Sequence, residues 1–290
     1  MKFTKYRIFN KQRMILIGLS LLGMFFFWIF DSGFFEATIG FDKNAIDMTP
    51  ERAPEVQKRL LSQILTFDRY MDTMGYATTI MLVLLFSTVV LFYKEKNGLF
   101  AFRYVRGESQ RKVILSTIFS HALINAVLYY LIYIIYTSVG YLFIGNTMSY
   151  VPRNIFDGIF GEGFSKRLPY LYYLVQGLPS FFIGTFVYTV TVCAVALFFR
   201  KAYQAIICMM SYYWGLQIVL EFLRCTFMGP NLAWIVGTFE PIHLYGFYGY
   251  VYHNPSAGTV LQTMSSLIVP IIVSIVLLVI TFRKEEKLYE

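Results

Sequence analysis

Residues 113–139 read VILSTIFSHALINAVLYYLIYIIYTSV, an uninterrupted stretch without one charged side chain. A helix of roughly 20 residues crosses a hydrocarbon core about 30 Å thick, so this stretch predicts a membrane-spanning helix. Five further apolar stretches resemble it. Together they predict an all-α polytopic membrane protein with one transmembrane domain over residues 1–290. The predicted spans are Met14–Phe30, Met74–Tyr93, Val113–Val139, Gln176–Phe199, Tyr203–Leu223 and Thr259–Phe282.

The composition agrees with such a protein and the basic residues predict its orientation. Hydrophobic residues make up 57% of the 290 and charged residues only 14%, against about 25% charged in soluble domains. With the N-terminus inside, 16 of the 25 Lys and Arg lie in the inner pieces 1–13, 94–112, 200–201 and 283–290, together with five of the 17 acids. We therefore expect both termini on the cytoplasmic side. The net charge of +8 is interpreted as topology and attraction to anionic lipid rather than nucleic-acid binding.

The N-terminus has a basic head before an apolar run, as a signal peptide does. That run is long and no A-x-A cleavage site follows it, so we expect an uncleaved first span.

The outer segment 31–73 carries a predicted amphipathic helix. Thr49 and Pro50 suit its N-cap and first position. Its apolar face recurs at helical spacing, with Val56, Leu60, Ile64, Phe67 and Met71. Such a helix would lie on the outer surface, where it either covers the ends of the spans or acts as a lid over a substrate path.

Three features of the remaining chain bear on its course. The third apolar run continues to about Ile144, which predicts a span that is tilted or broken near Gly140. Residues 145–169 are rich in Gly, Pro and Asn and predict a loop. Pro179 lies near the outer end of the fourth predicted span, where a kink is tolerable because neighbouring helices can satisfy the freed carbonyl. Residues 225–258 mix aromatic residues with Gly and Pro, which favours re-entrant helices at the outer interface.

A polar stripe runs along the third predicted span. Its members recur at spacings of three and four, and they are His121, Asn125, Tyr129, Tyr133 and Tyr136. Polar groups in hydrocarbon need partners, so this face is expected to pack at a helix or subunit interface, or to line a substrate pathway. We expect His121 to be a hydrogen-bonded structural residue rather than a proton relay, because no intramembrane carboxylate is evident as its partner.

Glu221 and Arg224 lie three residues apart at the outer end of the fifth predicted span, on one helical face. This spacing predicts an interfacial ion pair, and contact with substrate is the alternative.

No motif of an enzyme stands out. The chain has neither H-E-x-x-H nor G-x-x-x-x-G-K-[ST], so neither a zinc hydrolase nor nucleotide hydrolysis by a P-loop is indicated. The thiols Cys193, Cys208 and Cys225 are scattered without paired spacing, which argues against a disulfide framework or a metal site. We expect no catalytic residue and no metal ligand in this chain.

The longest inner loop, residues 94–112, reads KEKNGLFAFRYVRGESQRK. Its charges surround an apolar and aromatic core bounded by two glycines. This pattern predicts a short amphipathic helix along the cytoplasmic surface, which either anchors the chain to the membrane or docks a cytosolic partner.

At this loop the chain resembles the permease subunits of type-2 ABC exporters. In that family the second span runs into E-x-x-G-[TL], then a short apolar helix, and then a turn with small residues, Ser and Arg. The stretch Phe100–Val105 and Ser109 match this pattern. The residues that the resemblance assigns to coupling with an ATPase are Glu95, Gly98, Leu99, Phe100, Phe102, Arg103, Gly107 and Arg111. Asn97-Gly98-Leu99 stands where Gly-Thr-Leu is usual, and the outer segment 31–73 is longer than the family's minimum.

The resemblance implies half of a transporter. The partners would be a pair of cytosolic ABC ATPase subunits, which bind the ATP and Mg, and a second permease that is identical or paralogous. The cargo would be an amphipathic peptide, lipid or drug, and the location a prokaryotic plasma membrane. A chain of this class is not an enzyme by itself. The resemblance predicts that the chain associates with an ATPase and that this association is lost when Phe100 and Phe102 are replaced by charged residues.

A second hypothesis comes from a different class of protein. The chain could be an integral membrane protein that works without an ATPase, either as a lipid- or peptide-processing enzyme or as an immunity-type binding protein. It would then show activity or protection in isolation.

Overall fold

The computed structural model describes residues 10–44, 49–73, 77–148, 161, 163–215, 218–219, 222 and 267–286. Throughout these residues the regular elements are helices, and no strand occurs among them. The α-helices are α1 Lys11–Asp31, α2 Phe34–Thr38, α3 Ala53–Ile64, α4 Phe67–Asp72, α5 Ala77–Asn97, α6 Leu99–Val105, α7 Gln110–Ile144, α8 Phe164–Arg167, α9 Pro169–Gly177, α10 Thr185–Phe198, α11 Ala202–Met210 and α12 Ile268–Glu286. The predicted all-α class therefore holds for the described part of the chain.

The long helices form a bundle around α7 and α10. These two pack along each other, α10 also contacts α5 and α12, and α1 lies against α5 and α7. The outside of the bundle carries apolar rows at helical spacing. They include Ile15, Leu19, Leu22 and Phe26 on α1, Phe119, Leu123, Val127 and Leu131 on α7, and Ile268, Ile272, Ile275 and Val279 on α12. Exposed rows of this kind suit contact with lipid.

Among the residues that the structure describes, three helices are long and apolar enough to cross a membrane: α1, α7 and the continuous helix Pro169–Phe198. A shorter apolar run, Ile268–Arg283, lies in α12. These helices are consistent with an integral membrane protein. The number of six spans and the orientation stay predictions.

The long helix α7 is unbroken through Gly140. Its 35 residues correspond to about 52 Å at 1.5 Å per residue, well over the thickness of a hydrocarbon core. Gly140 faces the ring of Tyr70 in α4, and a Cβ on this glycine would lie 2.2 Å from Cε1 of that ring. The glycine thus serves close packing of α4 on α7. Of the two alternatives, a tilted span or a break near Gly140, the unbroken helix excludes the break.

The amphipathic helix predicted in the outer segment is two helices, α3 and α4, rather than one. α3 begins at Ala53 with Arg52 as its N-cap, so the expected start at Thr49-Pro50 is wrong. The carbonyl of Thr49 instead accepts from the backbone N–H groups of Arg52 and Ala53, at 2.9 and 3.0 Å, in a preceding turn. The helix α3 ends at Ile64, and Leu65 is its C-cap. Phe67 is buried in the core, and its N–H donates to the carbonyl of Thr147.

A π-helical segment, Leu178–Gly184, joins α9 to α10 and contains Pro179. The irregular backbone therefore lies at the proline where a kink was considered tolerable. The apolar helix at the fourth predicted span begins at Pro169, seven residues before the predicted start at Gln176. A second π-helical segment, Ser211–Gly215, follows α11. The predicted re-entrant region 225–258 lies outside the described residues, as do Glu221 and Arg224.

Candidate functional site

The predicted short helix in the inner loop is α6, between α5 and α7. Gly98 precedes it, and Gly107 ends the turn after it with φ of +79°, a left-handed conformation that favours glycine. The N–H of Gly107 donates to the carbonyl of Tyr104 at 2.9 Å, and Ser109 is the N-cap of α7. The two glycines that the resemblance selected therefore mark the two bends that set α6 off from its neighbours.

The short helix has a buried face and an exposed one. Phe100 is 5% exposed and meets the ring of Phe92 edge-on, with the ring centroids 5.9 Å apart. Phe102 is 70% exposed and Val105 is 88% exposed. A partner could reach Phe102 and Val105 directly, whereas Phe100 packs in the chain's own core.

Arg103 fastens α6 to the start of α7. Its guanidinium makes two hydrogen bonds to the carboxylate of Glu108, and Nη1 donates to Oγ of Ser116 at 3.0 Å. The hydrogen bond from Arg103 lowers the pKa of Glu108 below its usual value, and Glu108 in turn raises the pKa of Arg103. The bidentate geometry defines the position of α6 better than a single point contact would.

Lys96 ties the end of α5 to the end of α10. Its Nζ donates to the carbonyls of Ala196, Leu197 and Phe199 at 3.1 to 3.2 Å, and the hydroxyl of Tyr93 donates to the carbonyl of Phe199 at 2.7 Å. A cation at the C-terminal carbonyls of a helix is stabilising. Burial lowers the pKa of Lys96, but all three of its donors are used within the chain.

A cavity of about 330 Å³ lies beside α6. Its lining residues come from α5, α6, α7, α10 and α12, and they are Lys96, Phe100, Ala101, Tyr104, Gln110, Ile114, Leu197 and Thr281. Next to it, the guanidinium of Arg111 lies over the ring of Phe282, 5.7 Å from its centroid. The cavity therefore marks the place where α6 meets the ends of the other helices.

A buried polar cluster lies at the same end of the bundle. Nη2 of Arg13, in α1, lies 2.7 Å from Nδ1 of His121, and Nε2 of His121 lies 3.3 Å from Oε1 of Glu95. Arg13 is 0% exposed and His121 is 1% exposed. The view that His121 lacks a carboxylate partner is wrong, since Glu95 at the end of α5 approaches it. Sequence reasoning treated Arg13 only as part of the basic head.

The other members of the polar stripe lie farther along α7, and each is 0% exposed. Nδ2 of Asn125 donates to Oγ1 of Thr88 in α5 at 2.8 Å and to Oγ1 of Thr189 in α10 at 3.2 Å. The hydroxyl of Tyr133 donates to the carbonyl of Tyr173 at 2.6 Å. The stripe thus lies at contacts between helices of the same chain.

The aromatic members of the stripe also stack. The rings of Tyr136 and Tyr70 are stacked at 4.3 Å between centroids, and the ring of Tyr129 lies 5.3 Å from that of Phe181 in the π-helical segment. Such pairs add stabilisation beyond the burial of their area.

In the described part of the chain, no group of three or more His, Cys, Asp or Glu side chains lies close enough together to hold a metal ion.

Comparison of the chain with protein-family models, with curated proteins and with solved structures found no match in any of the three.

Proposed function

We propose that this chain is the membrane-spanning permease subunit of an ATP-driven exporter of the type-2 ABC class, with α6 as the element on which a separate ATPase docks. The resemblance of residues 95–111 to that family motivates the proposal. The observation that carries it is the exposure of Phe102 and Val105 on a helix whose other side is fastened to the bundle.

The connections of α6 suit the transmission of force. Only Gly98 separates α6 from α5, and four residues separate it from α7. Arg103 joins it to Ser116 in α7, and Lys96 joins the end of α5 to the end of α10. A displacement of α6 would therefore act on three long helices at once, which is what a transporter without its own ATPase needs.

The remaining parts of the proposal come from the family. A second permease, identical or paralogous, would complete the pathway, and ATP with Mg would bind to the ATPase pair. Both termini and α6 would face the cytoplasm of a prokaryotic cell. The cargo would be an amphipathic peptide, lipid or drug, because the bundle offers mainly apolar and aromatic surfaces.

The test is co-purification from native membranes with the substitution Phe102→Glu. We expect the wild-type chain to carry a nucleotide-binding protein and the variant to lose it. Removing a buried phenylalanine from an interface costs about 1.5–3 kcal/mol, which corresponds to a loss of affinity of about 10-fold or more.

Phe143→Glu is the matched control, because Phe143 is 86% exposed and lies near the other end of α7. This variant should retain the ATPase. If the wild-type chain brings down no nucleotide-binding protein, or if both variants lose it equally, the proposed function is wrong. Activity or protection by the chain without any ATPase would favour the ATPase-independent class.

A further inference from the structure

The buried guanidinium of Arg13 determines the protonation of His121. A guanidinium stays charged and has only donors, so the contact of 2.7 Å between Nη2 and Nδ1 requires that Nδ1 accept. The ring proton must then be on Nε2, and the imidazole is neutral. The reverse tautomer is disfavoured, because its protonated Nδ1 would point one N–H group at another.

The nitrogen that carries the assigned proton lies near a carboxylate. Nε2 of His121 lies 3.3 Å from Oε1 of Glu95, so the neutral ring lies between a cation and an anion. A charge that is buried like that of Arg13 is costly unless an opposite charge is near it. A second proton on Nδ1 of His121 would face the guanidinium, so the doubly protonated ring and the Arg13 contact exclude each other.

The cluster continues into α6. Glu95 interacts electrostatically with Arg103, and Arg103 binds Glu108 and Ser116. The charges thus alternate along Arg13, Glu95, Arg103 and Glu108. Glu95 lies three residues before Gly98, where the chain turns into α6, so the position of Glu95 affects where α6 begins.

We propose that Arg13 is a positioning residue for α6, acting through the neutral Nε2-protonated form of His121 and through Glu95. The proposal rests on the proposed function in one respect, that α6 is the docking helix. It gives α1 a role beyond that of a membrane anchor: α1 supplies the cation that keeps Glu95 in place behind α6.

The groups that face His121 come from several elements. Arg13 approaches from α1, and Glu95 and the ring of Phe92 approach from α5. On α7 itself, Thr117 lies one turn before His121 and accepts a long hydrogen bond of 3.4 Å from Arg103 of α6. The ring therefore has a titratable neighbour in Glu95 and a permanent cation in Arg13.

Spin labels at positions 102 and 143 test the positioning of α6. The full-length chain carries Phe102→Cys and Phe143→Cys in a background without native cysteines (Cys193→Ala, Cys208→Ser and Cys225→Ser) and is studied in lipid nanodiscs without an ATPase. Both positions are exposed, and dipolar electron paramagnetic resonance gives the distance between the two labels. We expect a narrow distribution of distances in this parent chain and a broader or shifted one after Arg13→Met. The matched control is Tyr133→Phe, which also removes a buried hydrogen bond but lies 12 residues from His121 on α7.

Rescue by a conservative variant separates positioning from a general loss of stability. Arg13→Lys keeps a buried cation that can donate to Nδ1 of His121, so it should restore the narrow distribution of distances more fully than Arg13→Met. The proposal is wrong if Arg13→Met and Tyr133→Phe behave alike, or if Arg13→Lys and Arg13→Met behave alike.

Nitrogen NMR of His121 tests the same proposal without any change at Arg13. The substitutions His243→Gln and His253→Gln leave His121 as the sole histidine. At about pH 8 we expect a protonated Nε2 and an unprotonated Nδ1, and a protonated Nδ1 would overturn the proposal. If the Arg13→Met chain does not fold, the protonation of the two ring nitrogens decides whether the proposal stands.

Neither the label nor the NMR experiment needs an ATPase. If no ATPase co-purifies with the wild-type chain, the docking role of α6 is wrong. The measured protonation of His121 and the positioning of α6 by Arg13 are unaffected by that result. If an ATPase does co-purify but Nδ1 carries the proton, the proposed function stands and the positioning role of Arg13 falls.

Discussion

Two glycines of the bundle lie so close to tyrosine rings that a Cβ at either position would overlap a ring. A Cβ on Gly177 would lie 2.1 Å from Cε1 of Tyr133, and one on Gly140 would lie 2.2 Å from Cε1 of Tyr70. Neither ring can retreat freely, because each hydroxyl is bound to a backbone carbonyl, that of Tyr173 and that of Tyr136 respectively.

We therefore expect Gly140→Ala and Gly177→Ala to destabilise the protein. Overpacking of a tight core typically costs about 1–3 kcal/mol, and the effect should appear as a lower Tm in detergent. Gly18→Ala is the matched control, since nothing lies within 4 Å of a Cβ there and alanine suits a helix better than glycine. Equal Tm values for the three variants would contradict the packing described for α4 and α9.

At the scale of an element, α6 is held by the ion pair between Arg103 and Glu108. The hydrogen bond from Arg103 lowers the pKa of Glu108 below its usual 4.5. A carboxyl whose pKa is lower in the folded state stabilises that state above its unfolded pKa, and the contribution is lost as the pH falls through the folded pKa. Acid should thus loosen α6, with the loss lying below about pH 4.5.

The substitution Glu108→Gln mimics the protonated carboxyl at neutral pH. We expect trypsin to cleave the variant faster than the wild-type chain after the exposed Arg106, because the loop between α6 and α7 is no longer fastened. Glu55→Gln, at an exposed position in α3, is the control and should leave cleavage unchanged. Unaltered cleavage of the Glu108 variant would mean that Arg103 does not hold the loop.

The positions of the main helices could be predicted because apolar length and periodicity are local properties of the chain. α1, α5 and α7 overlap the stretches predicted for the first three spans, and α6 falls where the glycine-bounded loop indicated a helix. The first residue of α3 could not be predicted, because Thr49-Pro50 suits both the start of a helix and a turn. Where the backbone enters the core at Phe67 depends on Thr147, far away in sequence.

At the scale of the whole molecule, the orientation in the membrane is open to a direct test. Phe102 lies beside the start of α7 and Phe143 near its end, and both are exposed. With Phe102→Cys and Phe143→Cys in separate cysteine-free chains, a membrane-impermeant thiol reagent should reach position 102 only from the cytoplasmic side and position 143 only from outside. Labelling of position 102 from outside would remove the basis for docking a cytosolic ATPase.

Local sequence was enough to predict a helical protein, the course of most of its long apolar helices, and the polar face of α7. These are consequences of composition and of spacing along one helix, so they need no knowledge of neighbours. The same spacing could not say what the polar face contacts. It left packing and a substrate pathway equally open for Asn125 and Tyr133.

Contacts between side chains far apart in the sequence became known from the packing of the helices. Arg13 looked like any basic residue before a membrane span, and Glu95 like a loop carboxylate, yet both approach His121 at the end of the bundle. Phe100 and Phe102 looked equivalent, yet one is buried and the other exposed. The physical reason is the same in each case: burial and pairing depend on the packing of separate helices, which local sequence does not specify.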